Sequence, residues 1–324
     1  MKRKGISLPD LRFDPAFANT FSQIESYNKH HYRPNSYLHK WWARRCGSTL
    51  RLILKALVED SDQHDYYAPG GLEGKVILDP MMGGGTTLHE AIRLGANVIG
   101  ADLDPIPVLQ ARATLTEFPL EKLEVAFETL YHELCSELAP LFRTSCPTCD
   151  QPTGIRFTLF GVRRACECGP ALLVDSVDLR TESDGRVIRI CSRCRRISQN
   201  GDPCRCPSGE AGMAIVEKGT RACQSCGARY REELHTPYWA RFEPLAIVGE
   251  CAAHGLFFRP PAAADQTRLR RANAMRPVLP PEEFAINAGP KSADLLRRGV
   301  NCYLDLFSSR QLLYLQHAER IVSA

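Results

Sequence analysis

The clearest alternation of apolar and polar segments lies between residues 75 and 104, which read KVILDPMMGGGTTLHEAIRLGANVIGADLD. A short apolar run from Val76 to Leu78 stops at Asp79-Pro80, which is typical of a buried parallel strand that proline ends. A second apolar run, Val98 to Ala101, is followed by an acid. The pattern predicts a strand, a glycine turn, a helix and a second strand.

The glycine turn, Gly83 to Gly85, has no Cβ atoms, so its backbone can turn tightly and approach a ligand closely. The helix is predicted to begin at Thr86-Thr87, and Thr87 and Glu90 have the spacing of a capping box. Gly95 suits the end of the helix. Asp102 follows the second strand, at the end of the sheet where the glycine turn lies.

Three further helices are predicted from apolar residues at helical spacing. They cover residues 36 to 58, 120 to 141 and 301 to 324, and Ser308 or Ser309 is expected to cap the last one. Residues 1 to 35 and 59 to 74 are polar and read as loops.

The middle of the chain differs in composition. From Cys146 to about His254 it is rich in Cys, Arg and Gly, with short strand-like runs at Ala171–Val174, Val187–Ile190 and Leu245–Val248. A connector with one short basic helix follows. We therefore predict a mixed α/β chain: a partial doubly wound, Rossmann-like domain with a cysteine-rich insert. The predicted ranges are 1–143 for the first part of that domain, 144–256 for the insert, and 257–324 for the connector and the C-terminal helix that rejoins it.

Length and charge narrow the class of protein. The 324 residues suggest two domains or one domain with an insert, and 44% hydrophobic residues suffice for a core. No apolar run reaches the ~18 residues of a membrane helix, and no signal peptide is recognisable, so we expect a cytoplasmic protein without a membrane partner. The net charge of +4 does not by itself indicate nucleic acid.

Fourteen cysteines are the outlier in composition, and most form close pairs. In a chain without a secretion signal this favours metal over disulfides. Zinc takes four N or S ligands, usually from two short knuckles. We expect one to three structural zinc ions, held by Cys146, Cys149, Cys166, Cys168, Cys191, Cys194, Cys204, Cys206, Cys223, Cys226, Cys251 and His254.

Chain order suggests how these ligands combine. The first four, the middle four and the last four would each form one site. Alternatively, the first and last knuckles close one site across the insert, leaving two. Glycine follows Cys168, Cys226 and His254, as a tight knuckle turn favours. The isolated Cys46 and Cys135, like Cys302, are expected to be buried small apolar residues.

The unit at residues 75–104 has the parts of an adenosine-cofactor site: a glycine turn after a strand, a helix N-terminus, and an acid that can bind ribose hydroxyls. A phosphate-binding P-loop requires a lysine, and none follows Gly85. A dinucleotide fold prefers glycine where Leu88 stands. S-adenosylmethionine remains.

Asp79 to Thr87, DPMMGGGTT, closely resembles the Asp-Pro-Phe-x-Gly-Ser/Gly-Gly-Thr-Thr signature of amino-methylating DNA methyltransferases, which act on adenine N6 or cytosine N4. Met81 stands where the family has Phe. The segment His39–Arg45 matches the place of the family's other cofactor-binding motif. The resemblance implies S-adenosylmethionine as cofactor, DNA as partner, and the cofactor-binding residues Lys40, Asp79, Pro80, Met81, Gly83, Gly85, Thr86, Thr87 and Asp102.

More narrowly, the chain resembles adenine-specific DNA methylases that contain zinc ribbons. The glycine loop, the cysteine-rich insert, and the segments Tyr37–Arg45 and Tyr303–Leu313 carry this resemblance. Such enzymes often place target recognition between the glycine loop and the catalytic motif. The insert is basic in part, but acids lie close by, so a mixed solvated surface is at least as plausible as a DNA-binding face. The basic residues are Arg189, Arg193, Arg195, Arg196 and Arg205.

The family's catalytic tetrapeptide, Asp/Asn/Ser-Pro-Pro-Tyr/Phe, is absent from the sequence. Its two Pro-Pro pairs, at 260–261 and 280–281, lack the polar residue before and the aromatic after. No catalytic residue is therefore assigned, and we expect a truncated enzyme or one completed by a second polypeptide. The alternatives are a non-enzymatic zinc-ribbon protein that binds nucleic acid with a degenerate methylase half, and, more weakly, a methyltransferase for RNA or protein.

Overall fold

The computed structural model describes residues 13–27, 45–60, 62, 64–199, 204–206, 213–220 and 222–323. The chain divides into two compact units, Met1–Leu120 and Glu121–Ala324. Both mix helices and strands, as predicted. The three domain ranges taken from the sequence stay a prediction. Within the described ranges, every helix is too short or too polar to cross a membrane.

The first unit is a strand–helix–strand core with additional helices. Its two strands run parallel, with Val76 opposite Asn97 and Asp79 opposite Gly100. The elements are α1 (Pro15–Tyr27), α2 (Gly47–Lys55), β1 (Val76–Asp79), α3 (Thr86–Arg93), β2 (Asn97–Gly100) and α4 (Pro105–Leu115).

One face of this two-stranded sheet carries the hydrophobic core. Ile77 and Val98 point to it, and residues of α2, α3 and α4 pack there. The alternate residues of the strands lie on the other face. Val76, Leu78 and Ile99 are 59%, 63% and 56% exposed. A parallel sheet is normally covered on both faces, so the exposure of these apolar side chains is unusual.

The second unit contains a six-stranded sheet and a smaller three-stranded sheet. The larger sheet has the order β11-β10-β4-β5-β9, with β3 pairing with β4, and the smaller has the order β6-β7-β8. The strands are β3 (Arg143–Ser145), β4 (Pro152–Arg164), β5 (Ala171–Val174), β6 (Asp178–Thr181), β7 (Val187–Ile190), β8 (Ile197–Ser198), β9 (Ala214–Glu217), β10 (Phe242–Cys251) and β11 (Gly255–Arg259).

Among the described residues, the second unit also contains the α-helices α5 (Leu120–Leu138), α6 (Ala263–Ala274), α7 (Ala293–Arg297) and α8 (Ser309–Ser323). Leu134, Leu138, Ala272 and Leu313 join α5, α6 and α8 in one buried cluster. The predicted strands at Ala171–Val174 and Val187–Ile190 are therefore correct, and the predicted long helix and C-terminal helix are also present.

Two local expectations are corrected. Helix α3 has Gly85 at its N-cap and no side-chain cap, so Thr87 and Glu90 form no capping box. Glu90 is instead buried, 3.5 Å from the guanidinium of Arg51. The helix expected to end near residue 58 ends at Lys55, and residues 28–44 lie outside the described part.

The isolated cysteines also differ from the prediction. Cys46, Cys135 and Cys302 are only partly buried. The thiol of Cys46 donates to Glu25 Oε2 at 3.1 Å, and the neighbouring backbone N–H groups of Gly47 and Ser48 donate to the same carboxylate. Cys46 therefore lies in a polar capping network at the start of α2, not in an apolar core.

Candidate cofactor and metal sites

The glycine loop is held by two carboxylates at the ends of adjacent parallel strands. The N–H of Met81 donates to Asp79 Oδ1 at 3.1 Å, and the N–H of Gly83 donates to Asp102 Oδ2 at 2.9 Å. The N–H of Met82 donates to the carbonyl of Ala101 at 3.0 Å. Strand β1, the loop and the end of β2 therefore form one connected structure at the carboxyl edge of the sheet.

Packing fixes the loop from beneath. Met82 is buried with Leu88 and Ala111, whereas Met81 is 84% exposed. A Cβ on Gly100 would lie 2.4 Å from Met82 Sδ, so a side chain there would force the Met82 side chain to move. The sequence analysis did not identify Met82 as a residue that supports the loop. Its apolar side chain is the sequence feature that could have indicated this role.

Gly85 has the strongest requirement for glycine. Its φ of 76° is in the left-handed region, and an added Cβ would lie 2.9 Å from Cβ of Ala111 in α4. Both the backbone conformation and the contact with α4 therefore exclude a side chain. This geometry brings the loop and the start of α3 into one cradle.

We expect Gly85→Ala to destabilise the chain by roughly 1–3 kcal/mol, because it adds strain at positive φ and a clash with Ala111. Gly74→Ala is the matched control: Gly74 has φ 75° but no atom within 4 Å of an added Cβ. Chemical denaturation of the two variants measures the difference. An equal loss of unfolding free energy in both variants would show that the contact with Ala111 does not contribute to the effect.

Asp102, the predicted ribose acid, and Asp104, the next acid along the chain, have different positions. Asp104 caps α4 by accepting the N–H of Ile106 at 2.9 Å. Hydrogen bonds from the N–H groups of Asp104 and Gly83 lower the pKa of Asp102, which therefore stays a carboxylate at neutral pH. Each oxygen retains capacity to accept a further hydrogen bond. Asp104 is used as a helix cap, and Asp102 faces the loop.

Eight of the nine predicted cofactor residues lie in this connected structure. Thr86 and Thr87 open α3, where first-turn N–H groups have no partner within the helix. An anionic or polar ligand at this place would meet these N–H groups on one side and the carboxylates on the other. Lys40, the ninth residue, lies outside the described part of the chain.

The twelve predicted metal ligands converge in three groups of four. Within each group the ligand atoms lie within 4.8 Å of one another. The first group is Cys146, Cys149, Cys251 and His254; the second is Cys166, Cys168, Cys223 and Cys226; the third is Cys191, Cys194, Cys204 and Cys206.

The pairing by chain order is therefore correct for the third group and wrong for the other two. The first and last knuckles of the insert form one group, as the alternative grouping predicted. Cys166 and Cys168 form a further group with Cys223 and Cys226, so there are three groups and not two. The reason is the sheet. Strands β10 and β4 pair antiparallel, and β3 pairs with β4, which places the β3–β4 turn beside the β10–β11 turn.

The four C-x-x-C or C-x-x-H knuckles share one backbone conformation. In each, the residue four places after the first ligand has positive φ: Asp150 (60°), Arg195 (59°), Gly227 (73°) and Gly255 (70°). In three of them this residue donates its N–H to the carbonyl of the first cysteine, at 2.9 to 3.0 Å. The predicted knuckle glycines are thus confirmed at Gly227 and Gly255, and two non-glycine residues take the same conformation.

The distances and donors fit zinc. Neighbouring sulfurs lie 3.3 to 3.8 Å apart. This is close to the ~3.8 Å edge of a tetrahedron with Zn–S bonds of about 2.3 Å, and far from a disulfide bond of about 2.05 Å. A Cys₃His set and two Cys₄ sets have no open position for a substrate, which is typical of structural zinc.

Backbone N–H groups favour thiolate at the first ligand of several knuckles. Burial works against the charge on Cys146, but N–H groups of Thr148 and Cys149 lower its pKa to about 6. N–H groups of Cys226 and Ser225 lower the pKa of Cys223 to about 5. Because zinc binds the thiolate, these two cysteines are prepared for metal at neutral pH.

Two of the basic residues of the insert have partners within the protein. Arg189 pairs with Asp178 across β6 and β7. Arg195 donates to the carbonyl of Met213 at 3.1 Å. The contacts of these two arginines therefore favour a mixed surface and not a continuous basic face, the two alternatives that the sequence left open.

Comparison with known proteins gives two partial matches. The chain is 28% identical over 127 residues to the Type II methyltransferase M.BsoBI of Geobacillus stearothermophilus, a match that covers 37% of this chain and 23% of that protein. It is 41% identical over 51 residues to the Type II methyltransferase M.MjaII of Methanocaldococcus jannaschii, covering 16% of this chain and 10% of that protein. The matches thus span under a quarter of either relative.

No protein-family model matches the chain, and no solved structure matches it significantly. The chain is therefore a distant homologue of Type II methyltransferases over part of its length.

Proposed function

We propose that the first unit is the S-adenosylmethionine-binding part of a DNA methyltransferase that modifies adenine N6 or cytosine N4. The observation that carries the proposal is the pair of carboxylates, Asp79 and Asp102, tied to the glycine loop at the carboxyl ends of two parallel strands. This is the edge where doubly wound sheets bind ligands. The partial matches to Type II methyltransferases support it.

The residues would divide the cofactor between them. Asp79 and the loop from Gly83 to Gly85 hold the amino-acid end, while Asp102 accepts hydrogen bonds from the ribose hydroxyls. Met81, exposed beside the loop, offers an apolar contact in place of the family's phenylalanine. S-adenosylmethionine supplies the methyl group, and this chain binds and orients it.

The three ligand groups of the second unit would each bind one structural zinc ion, and the unit would face DNA. The catalytic tetrapeptide would lie outside the given sequence, either in a further part of the same polypeptide or in a second one. The transfer needs an acceptor for hydrogen bonds from the target amine and an aromatic ring against the flipped base. A non-enzymatic zinc-ribbon protein that binds nucleic acid is the second candidate, favoured by the same missing motif.

We expect calorimetry to detect S-adenosylmethionine binding, and Asp79→Ala and Asp102→Ala each to weaken it about tenfold or more, by loss of charge-assisted hydrogen bonds. Asp60→Ala, in an exposed loop of the same unit, is the control and should bind normally. Absence of binding by the unmodified zinc-loaded chain, alone and with a completing polypeptide, would refute the proposal. Unchanged affinity in both site variants would place the cofactor elsewhere.

A further inference from the structure

The second unit contains an aromatic cavity of about 610 Å³. Strand β4, the turn at residues 238–241, α6 and the start of α8 surround it. Its volume lies within the range of small-molecule sites, about 300–1,000 Å³. The aromatic residues of the wall are Phe142, Phe157, Phe160, Trp239, Phe242 and Phe307.

A buried cation lines this cavity. Arg310 is only 7% exposed, and its Nε has no hydrogen-bond partner. Its guanidinium carbon lies 5.4 Å from the ring centre of Phe142, and within the described ranges it has no carboxylate at ion-pair distance. A buried charge without a partner is costly, so the position is favourable for an anion that enters the cavity.

The neighbouring charged groups have partners of their own. Asp265 accepts hydrogen bonds from Thr144, Arg259 and the N–H of Ala262. Arg276 donates to the carbonyls of Leu304 and Phe307, at 2.8 and 3.0 Å. Arg276 is therefore structural, whereas the buried Nε of Arg310 has no protein acceptor. Burial lowers the pKa of Arg310, and the charge of Asp265, beyond ion-pair distance, opposes this.

Helix α8 adds a second favourable feature for an anion. Arg310 is in its first turn, and Ser308 to Gln311 line the cavity. The first N–H groups of a helix and its dipole favour negative charge there. A cationic end beside aromatic walls suits a ligand that joins a phosphate to a planar ring, since bases stack on aromatic side chains.

We propose that this cavity binds a nucleotide, its phosphate at Arg310 and the start of α8 and its base against the aromatic wall. The inference rests on the proposed function in taking an unstacked nucleotide of a DNA strand as the source. A free mononucleotide shares the chemistry, and the test distinguishes the two.

The experiment measures binding of a fluorescein-labelled oligothymidine single strand to the full zinc-loaded chain by fluorescence anisotropy. Thymine avoids competition for an adenosine-cofactor site. We expect saturable binding that Arg310→Met weakens about tenfold or more, because a charge-assisted hydrogen bond is lost. Phe157→Ala should weaken it about fivefold or more by loss of stacking, since the Phe157 ring is half exposed. Arg180→Met, at an exposed ion pair with Glu182, is the control and should change affinity less than twofold.

The melting temperature separates binding from structure. If Arg310 stabilises the fold, Arg310→Met lowers the melting temperature. If Arg310 instead serves to bind an anion, Arg310→Met leaves the melting temperature unchanged or raises it. Displacement of the strand by thymidine monophosphate at similar concentrations would assign the free nucleotide as source, and displacement only by unlabelled strand would assign DNA. Either supports a nucleotide site.

Three outcomes would overturn the inference: no strand or mononucleotide binds, only an acidic peptide binds, or both Arg310→Met and Phe157→Ala retain full affinity. Calorimetry with S-adenosylmethionine on the same preparation keeps the two proposals apart. Cofactor binding without strand binding removes this inference alone, and strand binding that depends on Arg310 without cofactor binding removes the proposed function alone.

Discussion

Removal of zinc should unfold the second unit. Two of its three ligand groups join segments that are far apart in sequence: Cys146 lies beside His254, and Cys166 beside Cys226. A bound ion at either group would close a long loop across the six-stranded sheet. Structural zinc contributes about 10–16 kcal/mol per site in small domains, which is comparable to the ~5–15 kcal/mol that stabilises a typical fold.

The three groups should differ in the extent of their effect. Cys251→Ser removes a buried ligand of a site that ties β3–β4 to β10–β11, and we expect loss of the cooperative transition of the whole unit. Cys194→Ser affects a group whose ligands lie close in sequence, next to the three-stranded sheet β6–β8, and we expect a local loss. The reason is the length of loop that each ion closes.

Thermal unfolding by circular dichroism, together with zinc analysis of the reduced protein, measures these effects. Cys302→Ser is the control, because Cys302 is in none of the three groups. We expect three zinc ions in the unmodified chain and in the control, and two after Cys194→Ser. A zinc-stripped protein with an unchanged melting temperature would contradict the prediction.

The sequence predicted the strand, glycine turn, helix and strand well because each signal is local. Val76–Leu78 stops at Asp79-Pro80, and Gly85 takes the positive φ that its type allows. The capping box failed for a tertiary reason. Glu90, which local spacing assigned to Thr87, is buried next to Arg51, whose other donors bind the carbonyls of Tyr66 and Ala68.

The metal ligands show the same limit. Knuckle spacing picked out all twelve residues of the three groups, because two ligand residues separated by one or two positions can face one ion in almost any fold. Their grouping follows from the pairing of strands that are far apart in sequence, such as Ala246 with Leu159, which no local pattern contains. The aromatic cavity was likewise invisible, since Phe157, Trp239 and Arg310 are distant in sequence and meet only through the sheet and α8.

The second large prediction rests on the exposed apolar face of the sheet in the first unit. This chain alone should transfer no methyl group to DNA, and a polypeptide that contains Asp-Pro-Pro-Tyr/Phe should restore transfer. Val76, Leu78 and Ile99 are exposed on the face opposite α2, α3 and α4. Parallel sheets bury both faces, so a second chain that adds strands and helices would cover them.

Leu78→Glu tests this arrangement, because burial of an unpaired carboxylate at the new interface costs several kcal/mol. Co-expression with a candidate polypeptide from the adjacent reading frame, followed by gel filtration and a methyl-transfer assay, should give a complex and turnover for the unmodified chain. Leu78→Glu should reduce both by about a hundredfold or more. Val278→Glu, at an apolar residue 99% exposed in the second unit, is the matched control and should leave both unchanged. Methyl transfer by the purified chain without a partner would contradict the prediction, because it would require a catalytic group that the sequence does not contain in the family's form.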